Sequence, residues 1–240
     1  MILGRIQPCF IPWTGYFEQV AVADIFVYLD DVLYTKRDWR NTNRLKSPHG
    51  VKPVFVPVRK VARDTLLNAA LISYRDPWQT TLLNQITQWY RKAPCFDEVM
   101  PLLEGPLAVP YERLVDLTGH LNGEVLRYLG VATPIHFASA IPKLANDKNG
   151  RIIEICEHFP GVNLLYDGKS AQNFIDLGRF RSQGIEVVFQ DYQQTPYPQQ
   201  WGGPFEPNLS VIDLLMNCGR DATRIILASP RPEVLRRPPV

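Results

Sequence analysis

The first 29 residues constrain the fold more than any other part of the chain. An apolar segment at residues 2–6 is followed by a proline-containing elbow at residues 7–17, a stretch with helical spacing at residues 15–23 and an apolar run at residues 25–29. Two buried strands joined through a helix form a βαβ unit, because parallel strands need a crossover connection. The sequence therefore predicts a parallel sheet that begins in this segment.

Beyond residue 30, strand and helix patterns alternate around a helical middle segment. Helical spacing covers residues 78–91 and 111–128. The remaining patterns predict strands at 54–58, 134–138, 162–166 and 185–189, and helices at 150–158 and 173–180. This alternation predicts an α/β fold, a mostly parallel sheet with Rossmann-like βαβ units and helices on both faces.

We expect one α/β domain over residues 1–230, with a subdivision into α/β parts at 1–75 and 134–230 and a helical part at 76–133 as the alternative. Residues 231–240 are expected to form a flexible tail. Residues 190–207, rich in Tyr, Pro, Gln and Gly, are long for a plain connector and are a candidate lid or binding loop.

Composition excludes several classes of protein. The chain has 26 basic and 24 acidic residues, a net charge of +2, so no general binding to nucleic acid is expected. No apolar run is long enough for a membrane span, and we predict a cytoplasmic protein. The four cysteines form no Cys-x-x-Cys pair, which argues against a structural zinc site and a disulfide framework.

Ligands of open α/β sheets collect beyond the carboxyl ends of the strands. That rule places residues 7–17, 30–44, Arg59-Lys60 and 166–170 on one rim. A helix that begins at Gly15 presents backbone N–H groups to an anion, and the basic residues of the second segment add positive charge. We therefore predict a site for a small phosphorylated or carrier-bound substrate.

The residues predicted to build this site fall into two groups. The catalytic candidates are Asp30, Asp31, Asn41 and Asn43. The substrate- or anion-binding candidates are Gln7, Trp13, Gly15, Tyr16, Tyr34, Lys36, Arg37, Trp39, Arg44 and Lys169. In this interpretation the cations bind phosphate or oxyanion, the two asparagines orient the substrate, and one aspartate is the acid or base. The residues identify no cofactor.

Less specific interpretations apply to the same residues. The two aspartates suit a metal ligand, a base or an anchor for arginines, but no histidine stands beside them, so no metal site is predicted. The cations suit a solvated loop, and the aromatic residues suit loop anchors. Cys9 would need a base to act as a nucleophile, and the four histidines give no local signature. Lys169 lacks the first glycine of a phosphate loop.

The elbow and the polar cluster resemble the signature of the WbqC-like protein family. The similarity is carried by Gln7-Pro8, Pro12-Trp13, Gly15-Tyr16-Phe17, Asp30-Asp31, Lys36-Arg37, Trp39, Asn41, Asn43-Arg44, Lys92-Ala93-Pro94, Gly184-Ile185 and Leu209-Ser210. Two positions depart from the family pattern. Many members have histidine in place of Ile6, and a basic pair with histidine in place of Gln79 to Leu82.

The resemblance implies a transferase that modifies an activated sugar or carrier-linked intermediate, by acyl or aminoacyl transfer, in bacterial O-antigen, surface-polysaccharide or natural-product biosynthesis. One alternative is a nucleotide-dependent ligase or nucleotidylyltransferase-like enzyme, since the strand, elbow, helix and strand are similar to the start of nucleotidylyltransferase folds of the HIGH type. That alternative predicts a nucleoside triphosphate at Gly15. Another is a non-catalytic assembly partner.

Overall fold

A five-stranded parallel sheet lies at the centre of the fold in a computed structural model that describes residues 1–235. The strands are β1 (Ile2–Ile6), β2 (Ile25–Tyr28), β3 (Thr42–Ser47), β4 (Gly50–Phe55), β5 (Ile135–Phe137), β6 (Leu164–Asp167) and β7 (Glu186–Phe189). The α-helices are α1 (Thr14–Val22), α2 (Trp78–Tyr90), α3 (Phe96–Val99), α4 (Pro101–Ala108), α5 (Leu114–Tyr128), α6 (Lys148–Glu157), α7 (Leu177–Ser182), α8 (Val211–Cys218) and α9 (Ala222–Leu227).

The strand order of the sheet is β5-β2-β1-β6-β7, and every pairing in it is parallel. The chain therefore starts in the centre, winds outward through β2 and β5, and then crosses to the other side of β1. The direction of winding reverses between β1 and β6, where Leu3 pairs with Leu165. The predicted α/β fold with a parallel sheet is confirmed.

Alternating side chains of the strands supply two apolar clusters on opposite faces of the sheet. Leu3, Val27 and Leu165 pack in one cluster with residues of α6 and α7. Phe26 and Tyr28 pack in the other with α1 and the helical middle segment. Period-two alternation thus gives each face its own core, as expected for a sheet covered on both sides.

The predicted strand at 54–58 is displaced in the structure. The strand is β4, Gly50–Phe55, and it pairs antiparallel with β3 instead of joining the parallel sheet. Gly50 adopts φ of 85° at the turn, a conformation that glycine accepts readily, and the chain reverses there. The cluster of amides and cations after Asp30 therefore continues into one strand of a hairpin.

Loop 190–207 is held at several points along its length. Gln190 donates from Nε2 to the carbonyl of Gly15 at 2.7 Å, and Trp201 donates from Nε1 to the carbonyl of Trp89 at 3.0 Å. Tyr197 donates to Asp213 on α8 at 2.9 Å. Tyr90 at the end of α2 donates to the other oxygen of that carboxylate at 2.6 Å, so Asp213 joins α2, α8 and the loop.

The predicted tail begins within the described part of the chain. Residues Glu233–Leu235 form a 3-10 helix, and Leu235 is buried in a small cluster with Val22, Leu164 and Tyr166. Residues 236–240 of the predicted tail lie outside the described residues.

Candidate functional site

The elbow after β1 has a fixed backbone. Ile11 adopts φ of 36°, in the left-handed region that β-branched residues rarely enter. Asn43 donates from Nδ2 to the carbonyls of Phe10 and Ile11 at 3.0 and 2.8 Å. Ser210 donates from Oγ to the carbonyl of Ile11 at 2.7 Å. Side chains of β3 and of the residue before α8 therefore hold the elbow from two directions.

A cavity of about 440 Å³, here called the elbow cavity, opens between the elbow and β3. It brings together six predicted site residues with five others. Its lining residues are Ile6, Gln7, Cys9, Pro12, Trp13, Tyr16, Trp39, Arg40, Asn43, Arg44 and Asn208. The predicted members are Gln7, Trp13, Tyr16, Trp39, Asn43 and Arg44, so much of the proposed binding set shares one space.

The two arginines of the elbow cavity differ in their partners. Arg40 forms an ion pair with Asp38 and donates from Nη2 to Oε1 of Gln7 at 2.5 Å. Arg44 makes no ion pair with any residue of 1–235 and donates from Nη2 to the carbonyl of Asn208 at 3.3 Å. Its Nε is buried without an acceptor, and its guanidinium lies 5.7 Å from the Trp39 ring centroid. The cavity therefore carries one cation whose charge no neighbouring carboxylate neutralises.

The other polar groups of the elbow cavity are neutral donors. Burial raises the pKa of the Cys9 thiol to about 12, against the smaller opposing effect of Arg40. Burial also raises the pKa of Tyr16, so its hydroxyl stays protonated. None of the described lining residues is a carboxylate or a histidine. The walls suit the binding of an anion and the stabilisation of developing negative charge better than proton transfer.

A second cavity of about 390 Å³, here called the β2 cavity, lies beside the carboxyl ends of β1 and β2. Its charged lining residues are Arg5, Asp31, Lys143, Asp147, Lys148 and Arg151, and Leu29, Val32, Ala145, Asn146, Ile152, Ile155 and Phe174 complete it. Gln7 lines both cavities. The two spaces are therefore neighbours across one amide side chain.

The two predicted catalytic aspartates lie in different surroundings. Both carboxylate oxygens of Asp30 accept from Ser139, from its backbone N–H at 2.9 Å and its hydroxyl at 2.6 Å. Asp31 lines the β2 cavity and pairs with Arg151 at 3.0 Å, with Lys143 at 4.0 Å. Asp30 thus anchors the turn after β5, whereas Asp31 faces open space.

The remaining predicted residues lie outside both cavities. Asn41 donates to the carbonyl of Val56 at 2.9 Å, and Tyr34 is buried. Lys36 and Arg37 are exposed on the turn before β3. Lys169 pairs with Asp191 at 2.7 Å in solvent. The functional roles of these residues, like those of the cavity-lining candidates, stay predictions.

Gly15 is packed beneath an indole ring. A Cβ atom built at this position would lie 2.5 Å from Cη2 of Trp13. The start of α1 is therefore covered by Trp13, which leaves little room at Gly15 for the nucleoside triphosphate of the alternative hypothesis.

Sequence reasoning missed a buried ion pair beside the point of reversal. Arg5 on β1 pairs with Asp167 on β6, and both side chains are more than nine-tenths buried. A charged residue within the otherwise apolar segment 2–6 was the available signal.

Of the two departures from the family pattern, Ile6 lines the elbow cavity, whereas Gln79 to Leu82 lie in the first turns of α2, outside both cavities.

Two further observations concern metals and membranes. Within residues 1–235, no group of three or more His, Cys, Asp or Glu side chains is arranged to hold a metal ion. No helix in the same part of the chain has the length and apolar character needed to cross a membrane.

Comparison with known proteins gives a family and a relative. The WbqC-like protein family matches residues 7–225. A protein of Mycobacterium tuberculosis (strain ATCC 25618 / H37Rv), described as "Uncharacterized protein Rv1507c", is 34% identical over 221 residues, which cover 90% of this chain and 94% of the relative. No solved structure gives a significant match.

Proposed function

Because this chain belongs to the WbqC-like protein family, we propose that it is a transferase that modifies an activated sugar or carrier-linked intermediate by acyl or aminoacyl transfer. The proposed setting is bacterial surface-polysaccharide or natural-product biosynthesis. The substrate carries an anionic group that binds in the elbow cavity.

The observation that carries this proposal is the unpaired guanidinium of Arg44. A cation in a cavity wall without a carboxylate neighbour is a binding site for phosphate or carboxylate, since a guanidinium offers several donors in one plane. Trp39, 49% exposed beside it, offers an apolar face to a sugar ring. Both features support a substrate that joins an anion to a ring.

The chemistry of the walls supports transfer of an acyl group. Attack on an acyl carbonyl develops negative charge on its oxygen, and Arg44 supplies positive charge in the same cavity. The proton of the attacking group needs an acceptor. Neither of the two proposed acid/base candidates lines this cavity, since both oxygens of Asp30 accept from Ser139 and Asp31 lines the neighbouring β2 cavity, so that acceptor is not among the residues of the elbow cavity.

Ligand binding tests this proposal through Arg44. Sugar 1-phosphates, nucleotide sugars, acyl thioesters and aminoacyl donors are screened by thermal shift against the wild type, Arg44→Gln and Arg127→Gln. Loss of a charge-assisted contact of about 1.5–3 kcal/mol weakens binding roughly 10- to 150-fold in Arg44→Gln. Arg127, exposed on α5 and paired with Glu124, lies outside both cavities and serves as the matched control.

The outcomes separate the alternatives. A sugar 1-phosphate that stabilises the wild type and Arg127→Gln but not Arg44→Gln supports the proposal. If no compound of the panel stabilises the wild type, or if Arg44→Gln responds as the wild type does, the site assignment is wrong and a non-catalytic assembly role becomes the better hypothesis.

A further inference from the structure

We infer that the β2 cavity binds a nucleoside diphosphate, the activating group of the substrate. The inference rests on the proposed function and adds a chemical class for the second cavity. Its location fits, because the cavity lies at the carboxyl ends of β1 and β2, next to the reversal of winding between β1 and β6. In open α/β sheets nucleotides bind in the crevice at such a reversal.

Asp31 supplies an acceptor for the two hydroxyls of a ribose. Its Oδ2 is held by Arg151 at 3.0 Å, while its Oδ1 accepts no hydrogen bond from residues 1–235. An acidic residue at the end of the second strand of a βαβ unit is well placed to accept from ribose hydroxyls. The arginine fixes one oxygen and leaves the other available to accept a hydrogen bond from a ligand.

Two lysines supply positive charge for the diphosphate. The side chain of Lys143 is 56% exposed and lies 4.0 Å from Asp31. Lys148 forms no ion pair within the described chain, and its Nζ lies 5.3 Å from the ring centroid of Phe174. Arg5 is neutralised by Asp167 and Arg151 by Asp31 and Glu154, whereas Lys143 has only the 4.0 Å contact with Asp31, so Lys148 is the first cation available to a ligand and Lys143 the second.

The start of α6 does not itself bind the phosphates. Asp147 accepts from the backbone N–H groups of Asn149 and Gly150 at 3.0 and 3.1 Å, which satisfies the first turn. The diphosphate must therefore be held by side chains. A single substitution of Lys148 is expected to weaken the binding of the nucleoside diphosphate.

Apolar residues supply a surface for the base. Leu29 and Val32 line the cavity with partly exposed side chains, and Phe174 is 40% exposed at its edge. An exposed aromatic ring beside an apolar wall suits the stacking of a flat heterocycle. A carboxylate, two lysines and an apolar wall together match the three parts of a nucleoside diphosphate.

Gln7 connects this cavity to the elbow cavity. Its Oε1 accepts from Arg40 at 2.5 Å, and its Nε2 donates to no acceptor within residues 1–235. A group attached to the second phosphate therefore extends past Gln7 toward Arg44. The two cavities then divide one substrate, with the nucleoside diphosphate in the β2 cavity and the attached group, which carries the anion bound by Arg44, in the elbow cavity.

Isothermal titration with UDP, ADP and inorganic pyrophosphate tests the inference. We expect at least one of the nucleotides to bind the wild type and its affinity to fall about tenfold in Lys148→Gln, with no change in Lys92→Gln, an exposed lysine after α2. Arg44→Gln should leave nucleoside diphosphate binding within twofold of the wild type.

Asp31→Asn tests the ribose contact. The wild type should bind the ribonucleotide better than its 2′,3′-dideoxy analogue, and Asp31→Asn should lose that preference. Glu154→Gln removes the other carboxylate that pairs with Arg151, but Glu154 does not line the cavity, so this control should keep the preference.

Three results would overturn the inference. They are the failure of both nucleotides to bind the wild type, binding that depends on Arg44 and not on Lys148, and pyrophosphate binding as tight as that of the nucleotides. None of these results contradicts the proposed function, which is tested separately by the Arg44-dependent binding of a sugar 1-phosphate.

Discussion

Asn43 has a structural task that competes with its predicted catalytic one. Its amide nitrogen donates to two elbow carbonyls, and its Oδ1 accepts from the backbone N–H of Arg44 at 2.8 Å. Asn43 is only 1% exposed, and its side chain holds the backbone of Ile11 in its left-handed conformation. These contacts use both ends of the amide.

Replacement of this side chain separates the two roles. Asn43→Ala leaves buried carbonyls without donors, and we expect the free energy of unfolding to fall by about 2–3 kcal/mol in urea titrations. Asn84→Ala, at an exposed position of α2, should change it by less than about 0.5 kcal/mol. Full stability of Asn43→Ala together with lost transferase activity would instead favour the catalytic role.

At the scale of elements, the elbow and α1 meet through close packing of Trp13 on Gly15. A methyl group at Gly15 collides with the indole, and such overpacking costs about 1–3 kcal/mol. We therefore expect Gly15→Ala to lower the melting temperature, whereas Gly105→Ala in α4, with open space around it, should not.

A second substitution checks the cause. In the Trp13→Ala background the ring is gone, so Gly15→Ala should be tolerated or slightly stabilising. Equal destabilisation by Gly15→Ala in both backgrounds would mean that something other than the indole limits this position.

On the scale of the whole molecule, Asp213 links the helical middle segment, α8 and loop 190–207. Burial raises the pKa of this carboxyl, and the hydrogen bonds from Tyr90 and Tyr197 oppose the rise without cancelling it. A raised pKa in the folded state means that the unfolded chain loses this proton first as pH rises. The contribution of Asp213 to stability therefore decreases from about pH 4 upward, through the raised pKa.

Asp213→Asn removes this titration and keeps the size of the side chain. The free energy of unfolding of the wild type minus that of the variant should fall as pH increases from about 4 to 8, measured by urea unfolding at each pH. Ser229, buried beside the loop, provides a control: the corresponding difference for Ser229→Ala should not vary with pH. A pH-independent difference for Asp213→Asn would contradict the raised pKa.

The sequence predicts the parts of the fold that depend on local pattern. Segments 2–6 and 25–29 are recognisable as strands because both are short, mostly apolar runs, and both lie where expected. The sequence does not identify β3, because its polar side chains conceal a strand pattern, and the strand predicted at 54–58 lies at Gly50–Phe55 instead. The sequence pattern does not identify α3, because four residues are too few to show a helical period, or α4, because Pro101 and Pro106 break its periodicity.

The candidate site follows a similar division. The proximity of the elbow to β3 can be predicted from the sequence, because segments that follow the carboxyl ends of parallel strands lie at one edge of the sheet. This places Trp13 and Arg44 at the same rim. Side-chain partners are not foreseeable, because Asp30 meets Ser139 and Asp31 meets Arg151 only through the tertiary fold. Sequence position alone cannot tell a carboxylate that anchors a turn from one that faces a cavity.

The central place of β1 has a consequence for the order in which the molecule can assemble. Leu3 meets Ile25 after 22 residues but meets Leu165 only after 162. Closing the longer loop costs about 2 kcal/mol more in chain entropy. During synthesis β1 must wait with one edge open until β6 has left the ribosome, so a strand that can pair early with β2 is completed late.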